Sequence, residues 1–195
     1  MRKFLICCLM ILPFVVVGCS KGPAEAALKA ADEAIAKVKP EAEKFVPEQF
    51  KALTETASTA KANFDKGDYA ATLAAAKDLP AKANEVMTAA TAKKDELMGL
   101  WNELAKDIPA KMLDLTDKVN ALAAMKKLPV GMDAAKLTEI KTRMADMSAT
   151  WTKAGEAFSG GDIKGAIEMG GSVKAAAQWL QDSYDAVMPK PVAKK

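Results

Sequence analysis

Few residues of this 195-residue chain belong to the types that perform catalysis or bind metals. The absence of histidine removes the usual general base near neutral pH, the commonest metal ligand and the standard serine or cysteine triad. Of the three cysteines, Cys7 and Cys8 lie inside an apolar run, and Cys19 lies just after it. The Cys19 thiol is therefore the one reactive group to explain, and we expect no enzyme activity, no cofactor and no metal.

Paired carboxylates are the remaining candidates for acid–base chemistry. Asp114 and Asp117 lie on adjacent turns of a predicted helix, among lysines on what should be its solvated face. Catalytic carboxylates need a cleft that shifts their pKa, and a solvated face provides none. We therefore predict no catalytic role for this pair.

Residues 1–18 have the layout of a secretory signal peptide. Arg2 and Lys3 form a basic head, and residues 4–17 carry no charge. That run is shorter than the roughly 20 apolar residues that span a bilayer, and Pro13 disfavours a permanent membrane helix. The signal holds two of the 28 Lys and Arg residues and none of the 25 acidic ones, so the remaining chain is nearly neutral. This balance does not favour nucleic acid as a partner.

The end of the signal resembles the lipobox of bacterial lipoproteins, in the residues Val16-Val17-Gly18-Cys19. The resemblance implies cleavage between Gly18 and Cys19, and a diacylglycerol with fatty acids such as palmitate on the Cys19 sulfur. Two or three acyl chains make a stable membrane anchor. Ser20 in place of Asp implies the outer membrane, facing the periplasm. The alternatives are an ordinary signal peptide with a chance cysteine, or an uncleaved anchor.

The rest of the chain shows the apolar spacing of helices. Apolar residues recur at steps of three and four, the heptad pattern of coiled coils and helical bundles. Two such seams are Val46, Phe50, Leu53, Ala57, Ala60, Phe64 and Leu137, Ile140, Met144, Met147, Trp151, Ala154, Phe158. The pattern predicts an all-α fold, an elongated bundle or short solenoid of about five to six helices.

Proline and glycine predict where these helices are interrupted. We expect Pro40 to close the first helix, Pro109 to begin another, and Gly170-Gly171 to interrupt the last one. The predicted organisation is a lipidated tether (19–23), a first helical unit (24–128), a second helical unit (129–188) and a disordered basic tail (189–195).

Two segments of the chain are similar to each other. The six residues from Phe64 to Tyr69 align with those from Phe158 to Ile163 at a shift of 94 positions, and each segment contains Gly-Asp. The same shift places apolar residues on apolar residues along the flanking helices. We infer a duplicated helical hairpin, and chance similarity between two amphipathic hairpins is the alternative.

Two family resemblances accompany this repeat. The pattern Ala60, Phe64, Gly67-Asp68-Tyr69 resembles part of the tetratricopeptide signature, without its period of about 34 residues. More closely, the first half is similar to Ala-rich envelope lipoproteins that carry a domain of unknown function. The motifs that carry this likeness are Val46-Pro47-Glu48, Leu53, Gly67-Asp68-Tyr69 and Ala74-Ala75-Ala76. The likeness implies a helical fold and a location in the cell envelope, and no activity.

Four aromatic residues are candidates for a ligand or partner surface: Trp101, Trp179, Tyr69 and Tyr184. For the tryptophans we favour core packing over such a surface role, because aromatic side chains dominate cores. The sequence favours a non-enzymatic, membrane-anchored helical scaffold that binds a protein partner in the envelope. Two alternatives remain: a spacer bound to peptidoglycan through Lys195, resembling the major murein lipoprotein, and a small-ligand carrier with a groove between the repeats.

Overall fold

The computed structural model describes residues 21–188. The predictions for Gly18, Cys19 and the tail that ends at Lys195 lie outside this part. Over the described residues the fold is all-α, which confirms the predicted class. Its six helices are α1 (Lys21–Phe45), α2 (Pro47–Asp65), α3 (Tyr69–Ala76), α4 (Leu79–Ala123), α5 (Ala134–Ser159) and α6 (Ile163–Asp185).

The chain divides into two compact units, whose described parts span residues 21–94 and 95–188. The first contains α1, α2, α3 and the beginning of α4, and the second contains the rest of α4 with α5 and α6. The division falls inside α4, whereas the sequence suggested the loop after residue 128. The two parts of α4 belong to different cores, because Ala83 packs with the first unit and Ile108 with the second.

The helix-connecting turn that the sequence suggested as a repeat has the same geometry in both units. Gly67 and Gly161 adopt φ angles of 78° and 84°, in the left-handed region where glycine is favoured. The carboxylates of Asp68 and Asp162 then cap the next helix by accepting bonds from backbone N–H groups three residues on, at 3.0 and 2.9 Å. The backbone hydrogen bonds around both glycines also match at the shift of 94.

The repeat extends to a third helix in each unit. The buried residues of α1 follow one another at intervals of seven, seven, four and three, and buried residues of α4 in the second unit follow the same intervals. The two sets are Ala24, Ala31, Val38, Ala42, Phe45 and Trp101, Ile108, Leu115, Val119, Leu122. The structure therefore repeats a three-helix unit, which is more than the hairpin predicted from the sequence.

Two proline predictions and the tether prediction are wrong. Pro40 and Pro109 lie inside α1 and α4, and α1 begins at Lys21 rather than after residue 23. An internal proline costs about 3 kcal/mol, because a backbone hydrogen bond is lost and the ring meets the preceding turn. Around Pro40, burial of Val38, Ala42 and Phe45 on the continuous helix offsets that cost.

The expected interruption at Gly170-Gly171 is also absent, since α6 runs through both glycines. Gly170 is buried, and a Cβ at this position would lie 2.8 Å from Cδ1 of Leu104 on α4. This glycine therefore permits a close approach of two helices instead of ending one.

Candidate interaction groove

Trp101 lies in the core and not on a surface. It is only 7% exposed, and its ring stacks on Trp151 and Phe158 with centroid separations of 5.3 and 4.6 Å. The core packing that the sequence favoured therefore holds for Trp101, and this residue is not available to a ligand or partner surface. Its burial follows from its position in the α4 seam, where the exposed neighbour is Leu100.

The other three aromatic candidates are half-buried and do not form one surface. Tyr69 lies in the first unit, where it contacts Phe64 edge to face at 5.3 Å. Trp179 and Tyr184 lie on α6 in the second unit. Tyr184 is near the Lys118 ammonium, 5.7 Å from its ring centre. Of the four residues, Trp179 lines a groove on the second unit.

This groove, of about 400 Å³, lies entirely within the second unit and opens to solvent. The loop before α5, the first turns of α5 and the end of α6 form its walls. The lining residues are Gly131, Met132, Lys136, Glu139, Ile140, Trp179, Ser183, Ala186 and Val187. The floor is largely apolar, and Lys136 and Glu139 place one charge of each sign at its rim.

Arg143 fixes the position of Trp179. Its guanidinium carbon lies 4.0 Å from the ring centre of Trp179, and its Nε donates a hydrogen bond to Glu139 Oε1 at 3.0 Å. Arginine stacks on aromatic faces better than lysine does. Arg143 is also the only arginine in the chain after Arg2. The indole is thus held against α5.

The loop from residue 124 to 133, which provides Gly131 and Met132 of the groove wall, also carries two exposed apolar residues. Val130 is 98% exposed and Met125 is 38% exposed. The loop is itself held in place, because Lys136 Nζ donates a hydrogen bond to the Gly131 carbonyl at 3.0 Å. In the first unit the equivalent helices are joined by Val46 alone. The groove therefore depends on a segment that only the second unit has.

The sequence did not identify the residues of this loop as part of a site. Its Leu128-Pro129-Val130-Gly131 stretch marks a helix break, and such breaks are usually solvent-exposed connections. The available signal was the asymmetry between the two repeats, since one long connection replaces a single residue. That asymmetry becomes visible only when α1 is matched to the second part of α4.

A second hollow, of about 230 Å³, lies between α4 and α6 in the same unit, with Leu100, Gly171 and Lys174 among its walls.

Within residues 21–188 no three acidic or thiol side chains are grouped so that they could hold a metal ion. Asp114 is paired with Lys118 through a 2.6 Å contact. Over the same residues no helix is long and apolar enough to span a bilayer. The groove beside Trp179 offers a concave surface lined largely by apolar side chains.

Comparisons of the chain with family models, with curated proteins and with solved structures found no significant match.

Proposed function

We propose that this chain is a lipid-anchored envelope protein whose second helical unit binds another protein at the Trp179 groove. The anchor rests on the lipobox-like sequence that ends at Cys19. The observation that carries the binding role is the exposure of Val130, 98%, on the loop that forms one wall of the groove.

Exposed apolar surface marks an interaction site where it is contiguous, and Val130 directly precedes Gly131 of the groove wall. Trp179 is preorganised by Arg143 and is of the residue type that most often dominates binding energy at interfaces. Lys136 and Glu139 at the rim would set the orientation of the partner, because rim charges act on specificity more than on affinity. The partner we envisage inserts an apolar side chain beside Trp179 and covers Val130.

A small-ligand carrier is the second candidate function, because the groove volume of about 400 Å³ lies within the range of known ligand sites. The groove is inside the second unit, and not between the repeats as the sequence suggested. Two features favour a protein partner. The groove opens to solvent, and its apolar surface continues outward onto Val130, where a small molecule would leave much of it uncovered.

Site-specific photocrosslinking in intact cells tests the proposal. A photoreactive phenylalanine analogue at position 130 should give an adduct of discrete mass. The same analogue at position 113 should give none, because Leu113 is also exposed (66%) but lies on α4, which contributes no residue to the groove. Trp179→Ala should abolish the adduct, whereas Trp179→Phe should retain much of it, since an aromatic ring remains in the groove.

Equal adducts from positions 130 and 113, or an adduct that survives Trp179→Ala, would contradict the proposal. Native mass spectrometry of the purified protein tests the second candidate. A bound small molecule that disappears in Trp179→Ala would support a carrier. A spectrum without such a molecule, combined with the adduct at position 130, would support the protein partner.

A further inference from the structure

The start of α1 must lie close to the membrane if Cys19 is lipidated, an assumption that this inference takes from the proposed function. Helix α1 begins at Lys21, two residues after Cys19. Two residues span at most about 7 Å even when fully extended. The first turn of α1 is therefore held near the lipid headgroups, and the parts of the first unit at the same end are brought close to them.

Helix topology shows which parts share that end. Helices α1 and α2 are joined by Val46 alone and run antiparallel, with Asp32 and Lys61 forming an ion pair at 2.9 Å. Because Asp32 lies opposite Lys61, the far end of α2 lies beside the first two turns of α1, with Asp65 roughly 10 Å along the helix axis from Lys21. That far end continues into the Lys66–Asp68 turn and then α3, which also packs against α1.

An aromatic pair flanks this turn. Phe64 and Tyr69 are both half-exposed and meet edge to face at 5.3 Å. At the equivalent positions of the second unit, Phe158 stacks on Trp101 at 4.6 Å, and Ile163 is only 7% exposed. The second unit thus buries Ile163 where the first unit leaves Tyr69 partly exposed, at the end nearest the lipid anchor, whereas Phe64 and Phe158 are both partly buried.

We propose that the Phe64–Tyr69 pair and the Lys66–Asp68 turn rest on the surface of the membrane that holds the Cys19 lipid. Aromatic rings with a polar tip favour the boundary between headgroups and acyl chains, and the Tyr69 hydroxyl provides that tip. The turn carries one net negative charge, because Lys66 lies between Asp65 and Asp68. The contact therefore needs no anionic lipid and should persist on phosphatidylcholine.

Spin labels measure this contact directly. Cys19 would carry the lipid, and Cys7 and Cys8 would leave with the signal, so an introduced cysteine is the only free thiol. The matched pair is Asp65→Cys and Ser159→Cys, since these exposed residues end α2 and α5 and correspond at the shift of 94. The acylated proteins are reconstituted in phosphatidylcholine vesicles, and collision rates with oxygen and with a water-soluble nickel chelate are recorded.

The label at position 65 should show severalfold lower accessibility to nickel and higher accessibility to oxygen than the label at position 159. Replacing both aromatic residues, in Phe64→Ser/Tyr69→Ser, should reduce that difference without affecting acylation. Equal nickel accessibility at positions 65 and 159 would overturn the inference. So would a difference unchanged by the double substitution.

The mass of the purified protein separates this inference from the proposed function. An unacylated Cys19 would refute the lipid anchor, and the membrane contact would fall with it. Acylated protein whose position-65 label is as accessible to nickel as its position-159 label would refute only the contact.

Discussion

Gly170 and Gly171 are neighbours in one helix but have different surroundings. A Cβ on Gly170 would meet Leu104 at 2.8 Å, whereas a Cβ on Gly171 would have no atom within 4 Å. The first glycine is explained by the close approach of α4. The second glycine, Gly171, lines the hollow beside Leu100. It destabilises the helix by the usual amount for a glycine relative to an alanine.

This difference predicts opposite behaviour for two adjacent substitutions. Gly171→Ala should stabilise the protein by about 1 kcal/mol, because alanine is the better helix former and the new methyl group meets nothing. Gly170→Ala should gain less or destabilise, because Leu104 must shift. Urea unfolding followed by circular dichroism at 222 nm measures both free energies. Equal gains from the two substitutions would contradict the packing described here.

At the same scale, the sequence could not decide which residue of the Leu100–Trp101 pair is buried. Both are apolar, and the steps from Leu97 to Leu104 fit either one. The structure buries Trp101 because Trp151 and Phe158 stack on it, and leaves Leu100 42% exposed. The burial of Trp101 instead of Leu100 depends on contacts with residues that are distant in the sequence, and local periodicity does not reveal such contacts.

At the scale of the element, the polar turn residues were predictable and the prolines were not. Gly67 and Asp68 end and begin helices through their own backbone and side-chain geometry, so a local rule suffices. A local rule also predicts that Pro40 and Pro109 interrupt a helix, but the burial of side chains on both sides of each proline outweighs that rule. Local signals therefore failed where tertiary packing opposed them.

An internal proline that packing tolerates should still weaken its helix. Pro109→Ala restores a backbone donor in α4 and should stabilise the protein by up to about 3 kcal/mol. Pro47→Ala is the matched control. Pro47 is the first residue of α2, where no intrahelical bond is lost, so its replacement should change stability little. Chemical denaturation compares the two, and a larger gain from Pro47→Ala would contradict this account.

At the scale of the whole molecule, the sequence revealed two thirds of the repeated unit. The turns align at a shift of 94, but α1 matches the second part of α4 at a shift of 77. The shift changes because the loop from residue 124 to 133 and the first two turns of α5 have no counterpart between α1 and α2. Matching residues also differ in size, as Ala24 and Trp101 do. The third helix of the repeat is visible only as a shared spacing of buried positions.

The same comparison explains why the candidate groove escaped prediction. Trp179 was named from the sequence, but its neighbour Met132 comes from a loop that periodicity does not describe. Under the proposed function, the two units have different roles. The first lies next to the lipid anchor, and the second carries the groove that only its added loop makes possible.

Lipid attachment is the central claim, because the membrane contact depends on it and the partner is sought in the envelope. The most direct test is the intact mass of the protein extracted from cell membranes. The account predicts a chain of Cys19–Lys195 with two or three acyl groups, and a Cys19→Ala variant found outside the membrane fraction. A mature chain without acyl groups, or one that retains Met1–Gly18, would contradict it.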